Sequence, residues 1–210
     1  MQWPRFLPAM VAIMTALSLT GCGQSQGATT ANVPYAVLNT DEQPLREDFN
    51  RNRGAVRLVF LVDPICPGCL RGLADMGDLL SKLGAGAPVK VYVIFEPVIG
   101  GRAKDIPAAA ALLRSSTSRL YWNPTGDFGR EMSHVLHYWN GHRWVYAWDT
   151  WLIYPPDATW SDATPPEPAF LMHQLGGLPH TKQFPHLDVD VFAAKVNTMV
   201  EAVGRRNGPQ

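Results

Sequence analysis

The feature that most constrains this chain is a junction. AVRLVFLV, Ala55 to Val62, runs into Asp63-Pro64 and then into ICPGCLRGLADMGDLLSKL. The first run is aliphatic and β-branched, and it is long enough for a buried strand. Asp63-Pro64 breaks it. Beyond the break Leu70, Leu73, Met76 or the adjacent Gly77, Leu80 and Leu83 recur at three- and four-residue steps, the pattern of an amphipathic helix. Gly84 and Gly86 end that helix. VKVYVIF, residues 89–95, alternates and is again β-branched, which predicts a second strand. Strand, helix, strand opens a parallel β-α-β unit, with Cys66-Pro67-Gly68-Cys69 at the start of its helix.

That placement has direct chemical consequences. Unpaired backbone N–H groups and the helix dipole at a helix N-terminus favour a negative sulfur. Pro67 at the first helical position has no N–H to lose and a φ angle already suited to helix. A free thiol titrates near 8.5, and cysteines so placed fall to roughly 3.5–7.5. Cys66 is therefore the expected attacking thiolate. Cys69, one turn in, is the expected resolving thiol. A structural bridge reading is weak, because the entropy gained by cross-linking grows with loop length and two intervening residues close almost nothing.

The chain has a third cysteine. MQWPRFLPAMVAIMTALSLTGCGQ carries one positive charge, Arg5, before an apolar stretch from Phe6 to about Leu19. The stretch is short for a membrane span, which needs roughly 20 apolar residues, and suits the h-region of a secretory signal. It ends in Leu19-Thr20-Gly21-Cys22, which resembles the lipobox of bacterial lipoproteins. The resemblance implies removal of residues 1–21 and lipidation of Cys22, palmitate included, as the new N-terminus. Gly23 rather than Asp after that cysteine permits outer-membrane delivery in the family's usual sorting. An ordinary signal peptide with an incidental cysteine is the alternative. Residues 22–34, small and polar, read as a tether between lipid and fold. Lipidation removes Cys22 from thiol chemistry, leaving one C-x-x-C in an oxidising compartment where disulfides persist.

With strand, C-x-x-C, helix and strand in place, the sequence resembles the thioredoxin-fold superfamily. The implied fold is α/β: a central mixed sheet flanked by helices, spanning 35–210, with an inserted helical segment at about 96–145. The implied activity is thiol–disulfide exchange on protein cysteines, facing the periplasm. Cys66 and Cys69 would be catalytic, and Pro67, Gly68 and Thr150 would meet the substrate. No flavin or nucleotide-binding motif is present, so no cofactor is expected and a partner protein must regenerate the dithiol. Couples of this kind run from about −270 to about −120 mV. The Pro67-Gly68 pair has no histidine to stabilise the thiolate further, which favours a reductant or isomerase over a strong oxidant.

The rest of the chain fits less closely. A helix is expected from Asp105 to Ser115, then over 118–138 a short strand, a turn at Asn123 to Gly126 and a helix. Residues 144–154 read as strand material and Pro155-Pro156-Asp157 as a hairpin turn. An amphipathic helix over 189–203 ends at Gly204. Three positions depart from the superfamily. Phe60 stands where its buried acid is kept, six residues before the first cysteine. Ile65 replaces the aromatic residue before the motif. The alignment puts Asp149, in WDTWLIY, where a cis-proline opens the strand facing the dithiol; that proline shapes the client groove and discourages metal capture. Asp149 could accept the Cys69 proton, or serve as a cap or hairpin residue instead.

Metal delivery is the second reading: thiolates plus a histidine suit copper or zinc. All six histidines lie at 134, 137, 142, 173, 180 and 186, with His134 and His137 expected on one helical face. No second ligand pair with zinc spacing is present, so no metal residue is assigned. A non-catalytic envelope assembly component is a third class, which the retained cysteines argue against. The 18 basic and 18 acidic residues cancel, which argues against nucleic acid. Six tryptophans between 122 and 160 read as packing rather than a client platform, with Trp151 inside and Trp160 at the surface. Glu96 is either a buried acid near the dithiol or, as expected for a loop, a solvated one.

Overall fold

The computed structural model describes residues 33–38, 40, 42–84, 86–115, 117–178 and 181–207. The leader at 1–21, the lipidated Cys22, nearly all of the tether and His180 lie outside the described residues. In chain order the elements are β1 (Ala36–Val37), α1 (Gln43–Arg51), β2 (Val56–Val62), α2 (Pro67–Leu83), β3 (Val89–Phe95), a 3-10 turn (Ala103–Asp105), α3 (Ile106–Ala111), β4 (Arg119–Trp122), α4 (Asp127–Val135), β5 (Thr150–Tyr154), β6 (Phe170–His173) and α5 (Val189–Asn207). The strands form one mixed sheet in the order β1-β4-β3-β2-β5-β6. The first four are parallel neighbours, whereas β5 runs antiparallel to both β2 and β6. The expected α/β class, mixed sheet and flanking helices are all present.

β2 is central, and every residue of it is buried. A strand covered on both faces reads as a continuous apolar run, as AVRLVFLV does. On one face Leu58, Phe60 and Val62 pack with Val93, Trp151 and Ile153 beneath α2, α3 and α5. On the other Val59 and Leu61 pack with Tyr92, Ile94 and Leu152 beneath α1 and α4. Arg57 is the exception in the run. Its guanidinium is fully buried, lies 4.3 Å over the Phe49 ring and donates to the carbonyls of Phe49, Pro155 and Ala158. A buried charge is tolerable only when its hydrogen bonds are supplied in this way.

The segment between β3 and β5 departs from expectation in detail. The short strand expected there is β4, and it slots between β1 and β3, so the segment read as a helical insertion widens the sheet. α3 is shorter than expected and ends at Ala111. Residues 144–149 are not strand, although Trp139 and Trp144 make an isolated bridge. β5 begins only at Thr150, where pairing with Leu61 of β2 begins. The proline-rich turn leads into a long connection before β6. That connection folds back onto α1 and buries Trp160, which exchanges hydrogen bonds with the Asn50 side chain and packs edge-on against Phe49. The expectation of a surface Trp160 is thus corrected, while Trp151 is inside as expected. α5 continues through Gly204 to Asn207.

Glu96 is fully buried, which corrects the expectation of a solvated carboxylate. It follows β3, and the N-terminal half of α4 covers it. Oε1 accepts the Gly129 amide at 2.7 Å, while Oε2 has no partner. Burial pushes this carboxyl up from 4.5 to about 8. A folded-state value above the unfolded one means that the folded chain binds the extra proton. Stability is then full below about 4.5 and falls as pH rises to about 8. Glu96→Gln is expected to flatten that slope and raise stability on the order of 2 kcal/mol near pH 9. Thermal melts of both proteins across about pH 5 to 9 check this, and parallel curves would refute it.

Candidate active site

The site begins where β2 stops. Buried Asp63 accepts three amides on its carboxylate: Ile65 at 3.0 Å, Ile99 at 2.8 Å and Gly101 at 3.2 Å. Its carbonyl also accepts the Cys66 amide at 3.1 Å. Sequence reasoning took Asp63 only as a strand breaker, yet it ties the loop before Cys66 to the loop after β3. Gly101 makes this possible, since a Cβ there would sit 2.3 Å from Asp63 Oδ1. Ile65 and Ile99 are left exposed.

Cys66 is the N-cap of α2, in extended conformation, and its Sγ accepts the Cys69 amide at 3.3 Å. Sulfur here takes the place of the usual capping oxygen. Pro67 holds the first helical position and is exposed, and Gly68 is half-buried beside it, so both reach the rim. Both cysteines are free thiols, Cys66 almost covered and Cys69 completely. A hydrogen bond from Cys69, aided by backbone amides of the first turn, holds Cys66 down to about 7 against the opposing effect of burial. Burial drives the Cys69 thiol far up, and the neighbouring Cys66 and Asp149 charges add to it. The two thiols are therefore split into an acidic outer one and a reluctant inner one.

Asp149 stands immediately before β5 with φ 49°, a left-handed conformation that aspartate tolerates better than most side chains. All described peptide bonds are trans. Its carboxylate reaches back over α2: a Cβ on Gly68 would lie 2.6 Å from Asp149 Oδ2. Donor atoms of Cys66, Cys69 and Asp149 all lie within 4.8 Å of one another. Burial pushes Asp149 up to about 6, opposed by hydrogen bonding from Cys69 and by the charges of Arg71 and His186. Phe60, at the superfamily's acid position, packs instead against Trp151 and Phe192. The carboxylate that lies beside the thiols comes from the head of β5 rather than from β2.

Thr150, expected to meet the substrate, does not present its side chain. It is fully buried, with its hydroxyl donated to the Trp148 carbonyl at 2.9 Å and facing Tyr138 on the opposite side of the sheet. Side chains alternate along a strand, so Trp151 faces α2 and Thr150 cannot.

Two further residues shape the site and were missed. Gln174 follows β6; with its side-chain amide oriented so that nitrogen rather than oxygen faces two acceptors, Nε2 donates to Asp149 Oδ1 at 2.9 Å and to the Gly68 carbonyl at 3.0 Å. Gly72, one turn along α2, makes room, since a Cβ there would fall 2.1 Å from Trp151 and 2.5 Å from the Gln174 amide. Only the pairing of β5 with β6 reveals Gln174, and that pairing is not a local signal.

The cysteine–aspartate trio is the one group of three metal-capable donors among the described residues, and no described histidine joins it. His173 is buried with both ring nitrogens engaged, by Leu175, Thr181 and Phe184. His134 lies in α4, but His137 follows the helix with φ 56°, so the two do not share a helical face.

Fold and site together define a C-x-x-C protein of mixed α/β architecture, with its dithiol on a helix N-terminus and a carboxylate behind it. No family model matches the chain, and no curated protein matches it. Among solved structures it is similar to a secreted Mycobacterium tuberculosis disulfide oxidoreductase homologous to E. coli DsbE. The identity is 11%, over 70% of this chain and 84% of that one, with a TM-score of 0.43.

Proposed function

We propose that this protein is a thiol–disulfide oxidoreductase of the bacterial cell envelope, lipid-anchored through Cys22 and facing the periplasm. Residues 35–210 would form the working domain, with 96–145 as its insertion. One observation carries the activity: an acidic thiol caps the helix while a buried second thiol lies beside a carboxylate. The Cys66 thiolate attacks a client disulfide, forming a Cys66–client bond and releasing one client sulfur as thiolate. Asp149 takes the Cys69 proton. The Cys69 thiolate then attacks Cys66 Sγ, closes the Cys66–Cys69 disulfide and releases the second client thiolate. Two electrons pass to the client, and the reverse sequence oxidises a client dithiol. Pro67 and Gly68 line the rim where the client docks, and a partner protein resets the dithiol.

A redox titration of the purified protein, read by thiol labelling with and without Cu(I), tests this. The expected result is one reversible two-electron midpoint within roughly −270 to −120 mV, unmoved by copper. Tight copper binding that blocks labelling of both cysteines would move the protein to metal delivery instead.

A further inference from the structure

We infer that Gln174 is a positioning residue for the resolving step, holding the Asp149 carboxylate toward Cys69 while fixing the first turn of α2. The inference rests on the exchange mechanism proposed above. One amide nitrogen serves both ends of the site, donating to Asp149 Oδ1 at 2.9 Å and to the Gly68 carbonyl at 3.0 Å. With Oδ1 so engaged, Oδ2 is the oxygen that lies over Gly68, toward the thiols. The backbone supports the same alignment, because the Gln174 amide N–H donates to the Asp149 carbonyl at 3.0 Å. Gly72 is bare where the Gln174 amide rests. Asp149, Gln174 and the first turn of α2 are therefore hydrogen-bonded to one another.

A clamp that donates to a carboxylate favours the ionised form. Its loss leaves the same buried carboxylate facing Cys66, Cys69 and Arg71 from α2, Trp151 from β5 and His186 from the segment after β6, with one donor fewer. Asp149 then ionises at higher pH, and proton removal from Cys69 follows it.

Dithiobis(nitrobenzoate) separates the two steps in the full reduced chain. The first thionitrobenzoate is released when Cys66 attacks and forms the mixed disulfide. The second is released when Cys69 displaces it and closes the disulfide. In Gln174→Leu the second release is expected to slow about tenfold at neutral pH, with its rising pH limb displaced upward by about one unit. Gln174→Glu keeps the side-chain size but places a second carboxylate against Asp149, and a larger displacement in the same direction is expected. A residue that merely packs would leave the limb in place when leucine replaces it. Unmoved limbs in both variants, whatever their stability, overturn the inference. Asp149→Asn locates the fault. If it abolishes the limb that the Gln174 variants leave untouched, only the clamp is wrong; if it too keeps the limb, Asp149 is not the base and the mechanism falls with the clamp.

Discussion

Cys69→Ser is expected to convert the protein into a trap. Cys66 keeps its place at the helix N-terminus and the backbone amide that faces its sulfur, so it still attacks. Without the inner thiol the mixed disulfide has no resolving partner, and client proteins accumulate as adducts that reductant releases. Cys66→Ser is expected to give no adduct and to lower exchange on the order of a thousandfold or more, because Cys69 is completely covered and its proton is strongly held. Non-reducing gels of envelope fractions expressing each variant read both results at once. Adducts from both variants, or from neither, would refute the division of labour between the thiols. Cys69→Ala removes the inner donor altogether, so in that variant the labelling of Cys66 by iodoacetamide should shift to higher pH than the wild type's, from about 7.

Gly72→Ala is expected to be among the most damaging single-methyl changes in the chain. In a helix interior the substitution ordinarily stabilises by about 1 kcal/mol. Here the added Cβ would fall 2.1 Å from a ring carbon of Trp151, which is fully buried against Phe60 at 4.9 Å between centroids. An indole wedged between a helix and a central strand has no flexible end to withdraw, so α2 must lift or the ring must leave its rotamer. Overpacking of this kind costs about 3 kcal/mol, and the clash outweighs the propensity gain. The helix that must lift is the one carrying both cysteines, so exchange should suffer along with stability. Denaturant melts of the two proteins decide the matter. A variant as stable as the wild type would mean that α2 does not rest on Trp151.

The parts of this site that the sequence makes legible are those written locally. The apolar run of β2, the stop at Asp63-Pro64 and the three- and four-residue leucine spacing of α2 each depend on neighbours in the chain, and so does the cap position of Cys66. Asp149 was reachable by comparison with the superfamily pattern, though not its direction, because only the turn into β5 aims its carboxylate at the thiols. Gln174 and Gly72 became meaningful only when β6 paired with β5 and brought a distant amide to the first turn of α2. Thr150 was misjudged for a related reason: a residue adjacent to Asp149 in sequence alternates to the far face of the sheet. Trp160 lies in a segment that reads as loop, and only its return to Asn50 shows why it is buried. Tertiary closure decided these residues, whereas local pattern decided the dithiol.

On the exchange function proposed above, the Asp63 carboxylate also bears on how a client is received. It gathers amides from both stretches of chain that border Cys66. The conformational freedom of those stretches is therefore lost during folding rather than on arrival of a partner. A rim frozen in advance asks little further ordering of the pair it will form. It also adapts poorly, because the amides of Ile65 and Ile99 are both tied to the one carboxylate. Selection at such an opening favours segments already shaped to fit it over segments that must be remoulded there.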